Sequence, residues 1–135
     1  MDFQSIDKLF DASQFAVERL DDLNALVVVI AERGDGGGQR LELQRALQAS
    51  PEDQRLGMDT YCICTADGAS YYGGIIKWEV QPNGIIFALQ PDAALALGLP
   101  VRFKVGIALK RDDVPRLKEG LRHVIGWAEQ VGLPS

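Results

Sequence analysis

In 135 residues the sequence has a single histidine, His123, and two cysteines, Cys62 and Cys64. A zinc site needs about four ligands, and no second cysteine pair is there to supply them. No metal and no cofactor are therefore expected. A disulfide between the two cysteines is disfavoured: a strand rises ~3.3 Å per residue, so side chains two apart do not bridge without distortion. They read as buried, reduced thiols on one side of a strand. A cysteine nucleophile needs a base beside it. His123 is the only imidazole, and it lies in an amphipathic C-terminal segment. Long apolar runs are also missing. The longest, Ala25–Ala31, has seven residues, against ~20 for a bilayer span. The start, Met1-Asp2-Phe3-Gln4-Ser5, lacks the positive charge and apolar core of a secretory leader. The expectation is a cytoplasmic protein with no membrane association.

Basic charge is scarce too: 14 Lys and Arg against 19 Asp and Glu, a net charge of −5. Residues 1–60 carry 12 acidic and 6 basic side chains, whereas residues 61–135 carry 7 and 8. An acidic first half excludes nucleic acid as the natural ligand, because phosphate binding rests on Lys and Arg. It suits a cationic protein partner, or serves solubility alone. The glycine-rich Arg33–Gln39 stretch lacks the Gly-Lys-Ser/Thr ending and the following helix of a phosphate loop, so it reads as a hairpin tip. The acidic pairs Asp21-Asp22, Glu52-Asp53 and Asp112-Asp113 sit at turns or helix starts, where capping and solubility account for them. No catalytic residue is assigned.

What is present is ordinary globular material, 47% apolar and 24% charged, long enough for one domain over residues 1–135. The centre is a meander: a strand over Thr60–Thr65, the turn 66–69, a strand over Ser70–Val80, and a strand over Gly84–Leu89 after Pro82-Asn83-Gly84. In its second strand Ile76, Trp78 and Val80 share one face, opposite Lys77 and Glu79. In the third, Ile85, Phe87 and Leu89 share a face. Gly73-Gly74 inside a strand suggests a bulge or a close packing partner. Around the meander, 14–20, 25–32, 40–47 and Val101–Leu109 read as strands, the last with Val101, Phe103, Val105, Ile107 and Leu109 inward. The spacing of Phe3, Ile6, Leu9 and Phe10 predicts a short helix over 2–11. Ser50-Pro51 starts another helix, of one or two turns, and residues 90–98 a third. The last begins at Asp112 or Asp113 and runs to about residue 130, with a stripe of Val114, Leu117, Leu121, Val124, Ile125 and Ala128. Gly120 within it allows close approach. The fold class is α+β: a mainly antiparallel sheet of about six or seven strands, with a short helix before the last strand and a long C-terminal amphipathic helix packed on the sheet.

Tyr71 and Tyr72 are adjacent on a strand, so one points to each face, and an exposed tyrosine is a frequent interface anchor. At Asp59-Thr60-Tyr61-Cys62, Tyr72-Gly73-Gly74 and Ala93-Ala94…Leu97-Gly98-Leu99 the sequence resembles the bacterial immunity protein 10 family. The resemblance spans roughly residues 57–125, residues 1–56 showing no matching motif. It implies a non-enzymatic protein that neutralises a cognate toxin domain, encoded by the adjacent gene, by occluding its active site or an essential surface. The matching positions read as structural rather than toxin-contacting. The expected contact surface is Asp21, Asp22, Asp35, Glu52 and Asp53 with Tyr71 or Tyr72. Two other readings stand beside it: a small enzyme or ligand-binding domain using Cys62, Cys64 or His123, and a housekeeping protein-interaction module.

Overall fold

The computed structural model describes residues 6–35, 37–48, 50–55, 60–126 and 129–130, of which 53, 54, 129 and 130 are described by backbone alone. Along the chain run β1 (Asp7–Asp11), β2 (Gln14–Leu20), β3 (Ala25–Ala31), β4 (Arg40–Ala46), α1 (Pro51–Arg55), β5 (Cys62–Thr65) and β6 (Ser70–Tyr72). Then come β7 (Ile75–Gln81), β8 (Gly84–Leu89), α2 (Pro91–Leu97), β9 (Arg102–Gly106), α3 (Asp113–Ile125) and β10 (Glu129–Gln130). The strands divide between two sheets. One has the order β1-β9-β8-β7-β10, and the other follows the chain, β2-β3-β4-β5-β6. The α+β class, the short helix ahead of β9 and the amphipathic C-terminal helix are as the sequence indicates.

The sheets are joined at two corners by strands that bend from one to the other. Between β1 and β2, the Ala12 amide donates to Gly106 O (2.6 Å) and the Ser13 amide to Ala31 O (2.9 Å), so successive residues belong to different sheets. Between β6 and β7, Gly73 donates to Tyr61 O while Gly74 O accepts from Gln90, both at 2.8 Å. The sequence reads Ser70–Val80 as one strand, whereas the structure splits it at Gly73-Gly74, both at positive φ (76° and 98°). The bulge lies one step later, where register shifts between Ile75 and Lys77. It places Ile75 inward at 7% exposure and turns Ile76 outward at 43%, reversing the expected face of Ile76 but not of Trp78 or Val80.

One core runs through both sheets. Phe10, Trp78, Ile85, Phe87, Phe103 and Val105 meet Val28, Ile30, Leu41, Leu43 and Ile63 across it. The Phe87 and Phe103 rings are tilted by 33° with centroids 5.5 Å apart. Leu117, Leu121, Val124 and Ile125 of α3 enter the same core, and the helix lies against β2, β3 and β4 on one side and β7 on the other. A Cβ at Gly120 would stand 2.8 and 2.9 Å from the two Val17 methyls, so the glycine is what lets α3 settle on β2. Arg45 Nη1 donates to Val124 O (2.9 Å) and pins the last turn of α3 to β4.

Three further expectations are corrected. Residues 7–11 form a strand, not a helix, because β9 offers a parallel edge, and a register shift between Lys8 and Phe10 turns Phe10 into the core. Phe3 lies outside the described residues. The last helix stops at Ile125 rather than near 130: Gly126 caps it at φ 75°, and 129–130 pair in parallel with β7. Ala128 lies outside the described residues. In β9, Phe103 and Val105 are inward, but Val101 precedes the strand and is 46% exposed.

Candidate functional site

The motif residues converge on the β6–β7 corner. Tyr61 is 5% exposed. Its carbonyl accepts the Gly73 amide (2.8 Å) and its hydroxyl accepts the Ile75 amide (2.8 Å), so one residue holds both limbs of the bend. Burial raises the Tyr61 pKa, opposed by the Ile75 amide and by the charge of Arg45. A Cβ on Gly74 would lie 2.5 Å from Ala93 Cβ, which is why α2 carries a small residue there. Gly98 closes α2 at φ 68°, donating to Ala94 O and Leu95 O. Tyr61, Gly73, Gly74, Ala93 and Gly98 thus each have a packing or hydrogen-bonding task, whereas Tyr72 is exposed. Asp59 lies outside the described residues.

The two sheets differ on their outer faces. A sheet with one solvated side normally alternates apolar inward and polar outward. On the first sheet Glu79, Ile86, Lys104 and Lys8 form one outward row, and Lys77, Ala88 and Arg102 another, so basic groups predominate. Lys104 Nζ donates to Asn83 Oδ1 (3.2 Å) and Lys8 pairs with Asp11 (3.0 Å). The second sheet breaks the rule at its centre. In β3, Val28 and Ile30 point inward, and Val27 and Val29 point outward as well. One outward row runs Ala16–Val29–Glu42–Cys64–Ser70 and the next Glu18–Val27–Gln44–Cys62–Tyr72. Val27 is nonetheless only 8% exposed.

Cys62 and Cys64 are free and half-buried, their sulfurs 3.8 Å apart. They face the same side, as the sequence predicts, though their burial is partial. Burial, then the neighbouring Cys64, pushes the Cys62 thiol up to about 11. His123 is exposed on α3, 3.2 Å from Glu119 Oε2. Since α3 packs on the inner side of the second sheet and the thiols face outward, that sheet separates them, and they form no nucleophile–base pair. Among the described residues no group of three or more His, Cys, Asp or Glu is placed to hold a metal ion, and no helix is long and apolar enough to cross a membrane.

The expected contact residues separate. Asp21 and Asp22 lie in a one-turn 3-10 helix between β2 and β3. Asn24 there exchanges hydrogen bonds with Gln48 (2.9 and 3.0 Å), so the β2–β3 turn and the exit from β4 toward α1 share one end of the second sheet. Glu52 on α1 pairs with Arg55, and Asp21 with Arg19 (2.9 Å). The side chain of Asp53 lies outside the described residues. Tyr72, 46% exposed, lines a recess of about 270 Å³ with Leu23, Ala25, Gln44 and Cys62 at this same end. Tyr71 faces the opposite way, packed against the core. Asp35 is at the far end, in the β3–β4 hairpin. The Gly37 amide (2.9 Å) and Arg33 (2.6 Å) lower its pKa, so its charge is already engaged. Sequence reasoning passed over Val27, Val29 and Ala16. Their signal was a run, Ala25–Ala31, apolar at every position, where a half-solvated strand needs only every second one.

The described surface thus presents faces and recesses rather than an assembled set of reacting groups. A family model described as Immunity protein 10 matches residues 11–115, and the chain belongs to that family. The match begins well before the motifs legible by eye and takes in the acidic first half. No curated protein and no solved structure gives a match.

Proposed function

We propose that this chain is a cytoplasmic, non-enzymatic immunity protein that binds a cognate toxin domain and neutralises it by covering its active site or another surface the toxin needs. Membership of the Immunity protein 10 family carries this reading. The separation of Cys62 and Cys64 from His123 by a whole sheet supports it, because it removes the nucleophile–base pair an enzymatic alternative would use. The partner follows from the function: a toxin domain encoded by the adjacent gene in a polymorphic toxin system used in bacterial competition. Calorimetric titration with the C-terminal domain of that neighbouring product tests it. The expected result is stoichiometric binding at nanomolar affinity or tighter, on the order of −12 kcal/mol, with loss of toxicity in a cell expressing both. Absence of heat at micromolar concentrations, with toxicity undiminished, refutes it.

A further inference from the structure

We propose that the outer face of the second sheet, centred on Ala16 and Val29 and running to Tyr72, is the docking surface, and that it receives a cationic surface of the toxin. This rests on the immunity reading above and adds where contact is made and with what chemistry.

Three observations carry it. The first is the outward apolar centre. Val29 and Val27 lie in line with Ala16 on β2 and with Cys64 and Cys62 on β5, and no helix packs over them among the described residues. The outer face of the first sheet also carries apolar residues, Ile76, Ile86 and Ala88, but there they line a recess shared with the basic Lys77 and Arg102. The second is relief. A groove of about 390 Å³ beside Ala16, Val29 and Arg40 opens at the hairpin end. The recess of about 270 Å³ at the other end is flanked by Leu23 and Tyr72, 71% and 46% exposed. Five strands at ~4.8 Å spacing and ~3.3 Å per residue make a plate roughly 20 by 20 Å, and the turns at both ends extend it toward the ~800 Å² a side of a stable complex. The third is charge. On the rim Arg33 pairs with Asp35 at 2.6 Å and Arg19 with Asp21 at 2.9 Å, Arg40 lies 3.7 Å from Glu42, and Arg45, which lines the Tyr72 recess, donates to Val124 O. Glu18, Asp22 and Glu32 have no ion-pair partner among the described residues. An apolar centre with an acidic rim selects a partner presenting Lys and Arg around an apolar patch. The outer face of the first sheet, with Lys77, Arg102 and Lys104, repels the same partner.

The test uses the toxin domain of the preceding titration. Val29→Lys and Tyr72→Ala are each expected to weaken binding at least tenfold, while Lys77→Glu on the opposite face leaves it within about twofold. Glu18→Lys with Asp22→Lys is expected to slow association about tenfold at low salt, with the difference shrinking as salt rises. The wild-type chain supplies a control that needs no substitution. Cys62 and Cys64 lie within the proposed footprint, so bound toxin is expected to slow their alkylation at least tenfold. Tight wild-type binding with unchanged thiol reactivity, or with Val29→Lys and Tyr72→Ala within threefold, overturns the surface and leaves the immunity reading standing. Failure of the wild-type chain to bind removes both.

Discussion

Gly74→Ala is the substitution that most directly interrogates the β6–β7 corner. Gly74 holds φ at 98°, and an added Cβ would stand 2.5 Å from Ala93 Cβ and 3.2 Å from the Tyr71 ring. Forcing an L-residue into this left-handed region costs ~1–2 kcal/mol, and the overlap adds ~1–3 kcal/mol as the core shifts to admit a methyl group. The sum, about 2–5 kcal/mol, is a large part of the ~5–15 kcal/mol of a whole domain. In urea, with a slope of ~2 kcal/mol per molar, the midpoint should fall by ~1–2.5 M. The two contributions are separable. Ala93→Gly alone should cost ~1 kcal/mol through helix propensity. Combined with Gly74→Ala it should recover the overlap, giving a coupling of ~1–3 kcal/mol in a double-mutant cycle, while the backbone cost remains. A Gly74→Ala midpoint within experimental error of the wild type, or a coupling near zero, refutes the close approach as the reason for both small residues.

Tyr61→Phe keeps the ring and leaves the Ile75 amide without its 2.8 Å acceptor. It should cost ~1–3 kcal/mol in urea unfolding, and Ile75 should lose hydrogen-exchange protection ahead of the strands around it. Unchanged Ile75 exchange would show that the hydroxyl is dispensable. Alkylation of Cys62 should be slow at neutral pH and rise with pH up to about 11, and Cys64→Ala should shift its profile downward, since Cys64 is the second cause of the raised value. The folded pKa lies above the ordinary 9.0, so the associated stability is present below 9.0 and lost as pH climbs through about 11. Fast alkylation of the folded protein at pH 7 would contradict the placement of the thiol.

Alternation and punctuation made most of the elements legible. The period-two pattern of Arg40–Ala46 and Gly84–Leu89, the Pro91 start and Gly98 stop of α2, and the three- and four-residue steps of α3 are local signals, and local geometry satisfied them. What failed depended on distant partners. Ile6, Leu9 and Phe10 fit a helix as well as a strand. The edge of β9, nearly a hundred residues away, chose the strand and gave β1 its parallel partner. The split of Ser70–Val80 required Tyr61 and Gln90 to capture the glycines from opposite sides. Of the contact surface, the acidity of the first half was visible as composition. Its division between two ends of a sheet, with Tyr71 turned inward and Asp35 neutralised within its own hairpin, was not.

The sequence by itself determined the class of the fold, the family and the inward faces of β8 and α3, because all of these rest on residue type and short-range spacing. Only the tertiary structure decided that the strands form two sheets joined at two corners, that His123 and the cysteines lie on opposite sides of one of them, and that β3 keeps valines on a face that no helix among the described residues covers. An apolar run carries no sign of which side will be covered. That is settled by which elements arrive to pack on it, and in this chain α3 arrives on one side alone.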